Sequence, residues 1–284
     1  MNGERSLLEL IEARIAAGDC RLPPRNRVAA DLHALASDPD CDAQKVVRLV
    51  TADAALTGEV LRVANSALYA GLNKVATVHD AFIRLGTQTT IRLAVAACEK
   101  EQYRAKTPSL EALMDPLWQH ATGVAHGAAW LARKLGYGDQ EQTAYVGGLL
   151  HDVGKLLLVR VIDDIFSGPD APGSLTPNLV RDILDAAHTS RGGDLAEAWG
   201  LPADYAEVIR GHHLEDLSHA GTLLNLVSLA NKACRQVGLG LSHEPSLVLP
   251  VTDEALLLGA SDIVLAQLVV SLEDLQAEFS GAAA

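Results

Sequence analysis

An all-α fold is what three features of these 284 residues predict. Apolar residues recur at three- and four-residue spacing along most of the chain, the period of a helix with one buried face. Hydrophobic residues make up 49% and aromatics only 4%, so Leu, Ala and Val do the packing, which suits helices better than a sheet sandwich. No β-alternation or hairpin dipeptide interrupts the first half. The chain is expected to divide into residues 1–108 and 109–284, with the seam at Thr107-Pro108-Ser109.

The elements follow in order. Residues 5 to 17 read as a short helix ended by Gly18, and Leu22-Pro23-Pro24 forces an extended connection. A helix over 26 to 36 breaks at Ser37-Asp38-Pro39, and another follows from Asp42 to Val50. Asp53 reads as the N-cap of the next, whose inner face is Leu56, Val60, Leu61, Val63, Ala64 and Leu68, with Gly71 closing it. Thr77–Leu85 and Thr87–Glu99 are two helices hinged at Gly86. Leu110 to Leu135 is a long amphipathic helix in which His120 lies at the edge of the apolar stripe and His126 opposite it, in solvent.

Asp139 to Val159, DQEQTAYVGGLLHDVGKLLLV, is the stretch around which the second half is organised. Asp139 and Gln142 read as an N-cap and its reciprocal partner, and Val146, Leu149, Leu150, Val153, Leu156 and Leu157 form a core-facing stripe. The other side carries Gly147, His151, Gly154 and Leu158. Two glycines in a helix interior, each costing roughly 1 kcal/mol against alanine, imply that another helix or a ligand comes close to the backbone there. His151 and Asp152 then look into a second interface; the competing reading is a hydrogen-bonded core histidine beside a surface aspartate.

Ser167 to Pro177 is a Pro/Gly-rich loop. Asn178 is expected to cap a helix carrying His188 and ending at Trp199, before Gly200-Leu201-Pro202. The next helix holds Tyr205, Val208, Ile209 and His212 on one face, with His213 alongside. A helix over Gly221–Val237 places Asn231 at its stripe edge, and one or two helices over 253 to 279 finish the core.

The charge of −13 argues against sequence-independent binding to nucleic acid or to anionic lipid, so neither nucleic acid nor membrane is an expected partner. The amphipathic start is not a signal peptide, and the most apolar tract, Ala255–Leu272, is broken by Asp262 and Gln267. A soluble, cytoplasmic protein is expected. Cys20, Cys41, Cys98 and Cys234 are scattered and read as reduced thiols.

Five histidines of the second half, His120, His151, His188, His212 and His213, fall at positions able to reach a pocket, with Asp152 beside them. Imidazoles plus a carboxylate are a ligand set for a divalent transition metal such as Fe, Mn, Zn or Ni. Adjacent ligands on one helix with partners on its neighbours are how a bundle builds a site for one or two ions. His33, His79, His126, His219 and His243 read as surface or loop residues.

The chain resembles the HDOD family, regulatory relatives of the HD and HD-GYP metal-dependent phosphohydrolases. The likeness runs from about Leu22 to Cys234. It is carried by DPDCDAQKVVRLVTADAALTGEVLRVANSALY and VATVHDAFIRLGTQTTIRLAV in the first half. In the second it is carried by LWQHATGVAHGAAWLARKLG, GGLLHDVGKLLL and AAHTSRGGDLAEAWGLPADYAEVIRGHH. The resemblance implies a multi-helix fold, an N-terminal lobe packed on an HD-like bundle, and a bacterial signalling role usually without catalysis. His120 stands where HD phosphohydrolases have their first ligand histidine, and His151-Asp152 is the HD pair. His188, His212 and His213 match the three later histidines of the HD-GYP type. Two departures stand out: Asn231 replaces the expected aspartate, and LEDLSHAG after His213 has no G-Y-P.

Two functions follow from that resemblance. The preferred one is a non-catalytic signalling module acting through protein partners or a small ligand such as a nucleotide second messenger, with Asn65, Ser66 and Tyr69 as a contact surface. The other is an HD-type phosphodiesterase or phosphohydrolase acting on a nucleotide or cyclic dinucleotide, in which Lys155 would steady a phosphate. A solvated Lys155 and a purely structural Asn231 are the competing readings of those two residues.

Overall fold

The structure, a computed structural model, describes residues 6–17, 27–36, 42–52, 54–66, 69, 74–100, 102–168, 171 and 173–280. They form helices α1 (Leu7–Ala16), α2 (Arg27–Ala36), α3 (Ala43–Thr51), α4 (Ala54–Ala64), α5 (Val78–Leu85), α6 (Thr87–Lys100) and α7 (Pro108–Lys134). Then come α8 (Glu141–Leu150), α9 (Val153–Phe166), α10 (Pro177–Ala198), α11 (Ala203–Gly211), α12 (Thr222–Val237), α13 (Asp253–Leu257) and α14 (Asp262–Phe279). No strand occurs among the described residues, so the fold is all-α.

The chain divides into two compact units: Met1–Pro24 with Tyr103–Gln276, and Arg25–Gln102 with Ala277–Ala284. The division expected at residue 108 put the first helix in the lobe, whereas α1 packs on α9 of the larger unit. Buried Ile11 belongs to the same apolar cluster as Leu156, Leu157 and Ile162, and Glu12 pairs with Arg191 of α10.

In the smaller unit α2 and α4 pack on α6, around buried Val60, Ile91 and Val95. Asp42 and Thr77 cap α3 and α5 by accepting backbone N–H bonds from Gln44 and Asp80. Asn65 does structural work here: its carboxamide donates to the Val75 carbonyl at 2.9 Å and accepts from the Val75 N–H at 2.8 Å, closing the loop after α4. Ser66 Oγ donates to the Val63 carbonyl at 2.8 Å. Asp53, Leu68 and Gly71 lie outside the described residues.

In the larger unit α7 lies along α8 and α12, α9 packs on α10, and α10 on α11. Two glycines set the closest crossings. A Cβ on Gly148 would stand 2.6 Å from Ala125 Cα, and one on Gly154 would stand 1.9 Å from the His188 carbonyl oxygen. The close backbone approach expected at Gly147 and Gly154 therefore holds for Gly154 and for Gly148. Gly147 makes only ordinary contacts with Val227 and Leu223.

The helix expected to run unbroken from Asp139 stops instead at Leu150 and restarts at Val153, and neither Asp139 nor Gln142 caps it. The His151 ring supplies a reason: its Nδ1 takes the Gly148 carbonyl at 2.7 Å, the acceptor that the Asp152 N–H would use in a continuous helix. The cap of α10 is Thr176, whose side chain accepts from Leu179 N, with Pro177 as first helical residue in place of the expected Asn178 cap. Cys98 and Cys234 are buried; Cys20 and Cys41 lie outside the described residues. Among the described residues no helix is long and apolar enough to cross a membrane.

Candidate metal centre

Four helical segments deliver the side chains. α7 contributes His120, the break between α8 and α9 contributes His151 and Asp152, α10 contributes His188, and the end of α11 contributes His212 and His213. The Asp152 carboxylate is 5% exposed and lies among them. Its Oδ1 stands 3.4 Å from His188 Nε2 and 3.4 Å from His212 Nε2. Its Oδ2 stands 3.4 Å from His151 Nε2, 3.7 Å from His120 Nε2 and 2.7 Å from Lys155 Nζ. His213 closes the group, its ring centre 4.2 Å from that of His212 and 5.1 Å from that of His188. All six residues expected to be ligands are thus brought together, as two sets sharing Asp152: Asp152, His188, His212 and His213, and His120, His151 and Asp152.

Proton positions follow from the far side of each ring. His120 Nδ1 is 2.8 Å from the Leu239 carbonyl, His151 Nδ1 2.7 Å from that of Gly148, and His188 Nδ1 2.7 Å from that of Leu184. His212 Nδ1 is 3.0 Å from the Ile209 carbonyl. A carbonyl only accepts, so Nδ1 carries the proton in all four rings and each Nε2 presents a lone pair. Those lone pairs converge on a carboxylate, which also has no proton to give, and His188 Nε2 sits 3.3 Å from His212 Nε2. His151 Nε2 and Asp152 Oδ1 are buried with no hydrogen-bond partner among the described residues. Such an arrangement of acceptors suits a cation, and backbone carbonyls orienting the rings is the usual outer support of metal-bound imidazoles. The residues present fit a divalent transition metal.

Burial disfavours the charged form of His120, His188 and His212. His120 is lowered from 6.5 to about 3, by burial first and by His151 next, and His188 to about 4, by burial above all. For Asp152 burial acts upward, yet Lys155 and then His151 hold its carboxyl well below the usual range. The sign for stability follows. Near pH 6.5 the unfolded chain begins to take up protons at His120 and His188 that the folded chain refuses. Their contribution is complete above 6.5 and is lost as pH falls toward about 4. Asp152 adds a loss only beneath its ordinary 3.8. The melting temperature of chelator-treated protein is therefore expected to fall steadily from pH 6.5 to 4.5; a flat profile across that range would contradict this placement of the two histidines.

Beside the ligands lies a cavity of about 380 Å³, lined in part by Lys155, Asp185, Thr189, Asn231 and Arg235. Asn231 lines this cavity, is 2% exposed, and has a buried Oδ1 with no hydrogen-bond partner among the described residues; its carboxamide brings no charge. Lys155 lines this cavity with its side chain 15% exposed, and its Nζ is paired with Asp152 Oδ2 at 2.7 Å. Arg235 is engaged by Glu244, with Nε 3.1 Å from Oε1.

The segment after α12 went unread in the sequence, yet it supports His120. Gly240, at φ 121°, is where a Cβ would stand 2.8 Å from His120 Cβ, and the Leu239 carbonyl next to it holds the ring. The pair Gly238 and Gly240 just past a helix end was the available signal. His126, expected in solvent, is half-buried edge-on against Tyr145, ring centres 5.6 Å apart. His79, His219 and His243 are exposed as expected, and the side chain of His33 lies outside the described residues.

A sequence profile of the HDOD domain matches residues 22–215. A protein of Treponema pallidum (strain Nichols), described only as uncharacterized, is 26% identical over 207 residues, which are 70% of this chain and 39% of that one. The chain thus spans well under half the length of that relative. Among solved structures, an HDOD domain protein of unknown function from Geobacter sulfurreducens superposes with a TM-score of 0.72 at 23% identity, covering 97% of this chain and 96% of the other. A protein of Shewanella amazonensis SB2B, proposed by its name to be a metal-dependent phosphohydrolase, gives 0.67 at 20% identity over 95% and 97% of the two chains. One of Marinobacter aquaeolei VT8, proposed by its name to act in signal transduction, gives 0.66 at 23% identity over 98% and 61%. At these identities the superpositions speak for the fold.

Proposed function

The chain belongs to the HDOD family, and on that premise we propose that it is a regulatory signalling module that keeps a divalent transition metal at the Asp152 centre and acts by binding rather than by turnover. The observation that carries this reading is the set of four Nε2 lone pairs turned on a buried carboxylate. Polar groups so placed are costly without a cation among them. When bound, the metal would supply Lewis-acid polarisation of an oxygen on a ligand in the adjoining cavity. The chain's own residues orient and enclose: carbonyls of Leu239, Gly148, Leu184 and Ile209 hold the rings, and burial keeps those of His120, His188 and His212 neutral. The partners in this reading are signalling proteins, with a nucleotide second messenger as the small ligand of the cavity, in the cytoplasm.

A second reading, hydrolysis of a phosphodiester, draws on the complete set of five histidines and one aspartate. Against it stand the neutral Asn231 in the cavity wall and the pairing of Lys155 with Asp152 at 2.7 Å, which offsets part of that cation's charge.

Elemental analysis of protein purified without an affinity tag tests both. Transition metal is expected at stoichiometric level, and a chelator is expected to lower the melting temperature, since a ligand present at 1,000 times its Kd stabilises by about 4 kcal/mol. No hydrolysis of a generic phosphodiester is expected. Turnover abolished by His151→Ala would replace the binding reading with the hydrolytic one, and absence of metal together with indifference to chelator would remove the metal from both.

A further inference from the structure

The two oxygens of Asp152 have different surroundings, and the difference bears on how many ions the centre takes. Around Oδ1, the carboxylate oxygen and the Nε2 atoms of His188 and His212 form a nearly equilateral triangle with sides of 3.4, 3.4 and 3.3 Å. Donors bound at about 2.0–2.1 Å to a tetrahedral cation stand about 3.3–3.4 Å from one another, because the edge of a tetrahedron is about 1.6 times its centre-to-corner distance. Three corners are therefore already in place, and His213 belongs to the same set of four ligand atoms, all within 4.8 Å of one another.

The Oδ2 side is poorer. It offers three residues of ligand type rather than four, and His120 is further off at 3.7 Å. Lys155 Nζ already lies 2.7 Å from that same oxygen. An ammonium has three donors, no lone pair while protonated, and a full positive charge. A dication bound through Oδ2 would share its only carboxylate oxygen with that charge. Asn231, in the wall of the same cavity, adds an oxygen but no negative charge.

We propose that the centre is built for one divalent cation, on Asp152, His188, His212 and His213, and that the Lys155 ammonium takes the place of a second ion at Oδ2. This rests on the reading that the centre binds metal, and narrows it. Lys155 is then a positioning residue, neutralising half of the shared carboxylate and holding it in register for the ion on the other half. One cation beside an open cavity can fix one anionic or oxygen-bearing group of a ligand. It does not provide the paired clamp on attacking and leaving oxygens that two-metal hydrolysis requires.

The test is metal stoichiometry of the full chain, stripped with chelator and titrated with Mn²⁺ and separately with Zn²⁺, read by calorimetry and by elemental analysis after gel filtration. Wild type is expected to take one ion per chain. His213→Ala is expected to weaken it at least about tenfold, and His120→Gln to leave it within roughly threefold. Lys155→Met is expected to raise the stoichiometry to two. His213 is exposed, so its truncation leaves the core packing alone, and circular dichroism with melting curves verifies that the His120 and Lys155 variants are folded. Two ions in the wild type, or loss of the ion in His120→Gln with retention in His213→Ala, overturns the assignment while leaving the metal reading intact. A stoichiometry of one in Lys155→Met overturns the role given to Lys155. No ion in any of the four proteins overturns the metal reading itself.

Discussion

Alanine at position 154 is expected to destabilise the larger unit by about 3 kcal/mol or more, and to lower its melting temperature by roughly 10 °C. Glycine to alanine inside a helix ordinarily stabilises, by about 1 kcal/mol. At Gly154 the sign reverses, because the new methyl would lie 1.9 Å from the His188 carbonyl oxygen and 2.8 Å from Gly192 N. Both obstacles are backbone, so no rotamer change relieves them, and α9 must move off α10. That movement also displaces His188, and the variant is expected to hold metal poorly even where it remains folded. Gly147→Ala is the control. Its nearest neighbours are side-chain carbons of Val227 and Leu223 at 3.4 and 3.5 Å, so alanine there is expected to be close to neutral. Equal melting temperatures for the two variants would sink the argument that backbone proximity at Gly154 builds the site.

Replacing Asp152 by asparagine keeps the shape of the side chain and removes its charge. Metal affinity is expected to fall on the order of 100-fold or more, since support groups outside the ligand shell alone are worth about 10- to 100-fold and Asp152 is the carboxylate both ligand sets share. The thermal shift caused by chelator should vanish with it. The fold should survive, because the four ring-to-carbonyl bonds that orient the histidines do not involve residue 152. Calorimetric titration beside circular dichroism separates the two effects. An Asp152→Asn protein that still holds an ion with wild-type affinity would show that the imidazoles, and not the shared carboxylate, make the site.

Much of the helical layout could be read from spacing. Val60 and Val63, or Leu156 and Leu157, are buried where the period put them, and the helix expected from Asp42 to Val50 is α3, Ala43–Thr51. The six side chains that meet at Asp152 were legible as inward-capable positions, because each sits on or beside a helix whose buried face was already fixed by its apolar neighbours. Other features depended on competition between nearby groups. The break at His151 and Asp152 arises because a ring nitrogen outcompetes a backbone N–H for the Gly148 carbonyl, and helical periodicity is blind to that. Thr176 displaced Asn178 as cap because Pro177 suits the first helical position. His126 lies on the polar side of its stripe yet meets Tyr145 from α8, a neighbour that no single-helix pattern contains.

By itself, then, the order of residues determined that the fold class is all-α, where most of the apolar faces lie, and that five imidazoles and one acid lie on inward-capable positions. It did so because burial of an apolar face is a local, periodic property. Only the tertiary structure decided that these six meet at one carboxylate, that carbonyls of Leu239 and Leu184 turn the rings forward, and that Lys155 grips one oxygen of Asp152 while the other is left to His188 and His212. Those outcomes depend on separations of a few tenths of an ångström between helices far apart in the chain, and they are set by where glycines let two backbones touch.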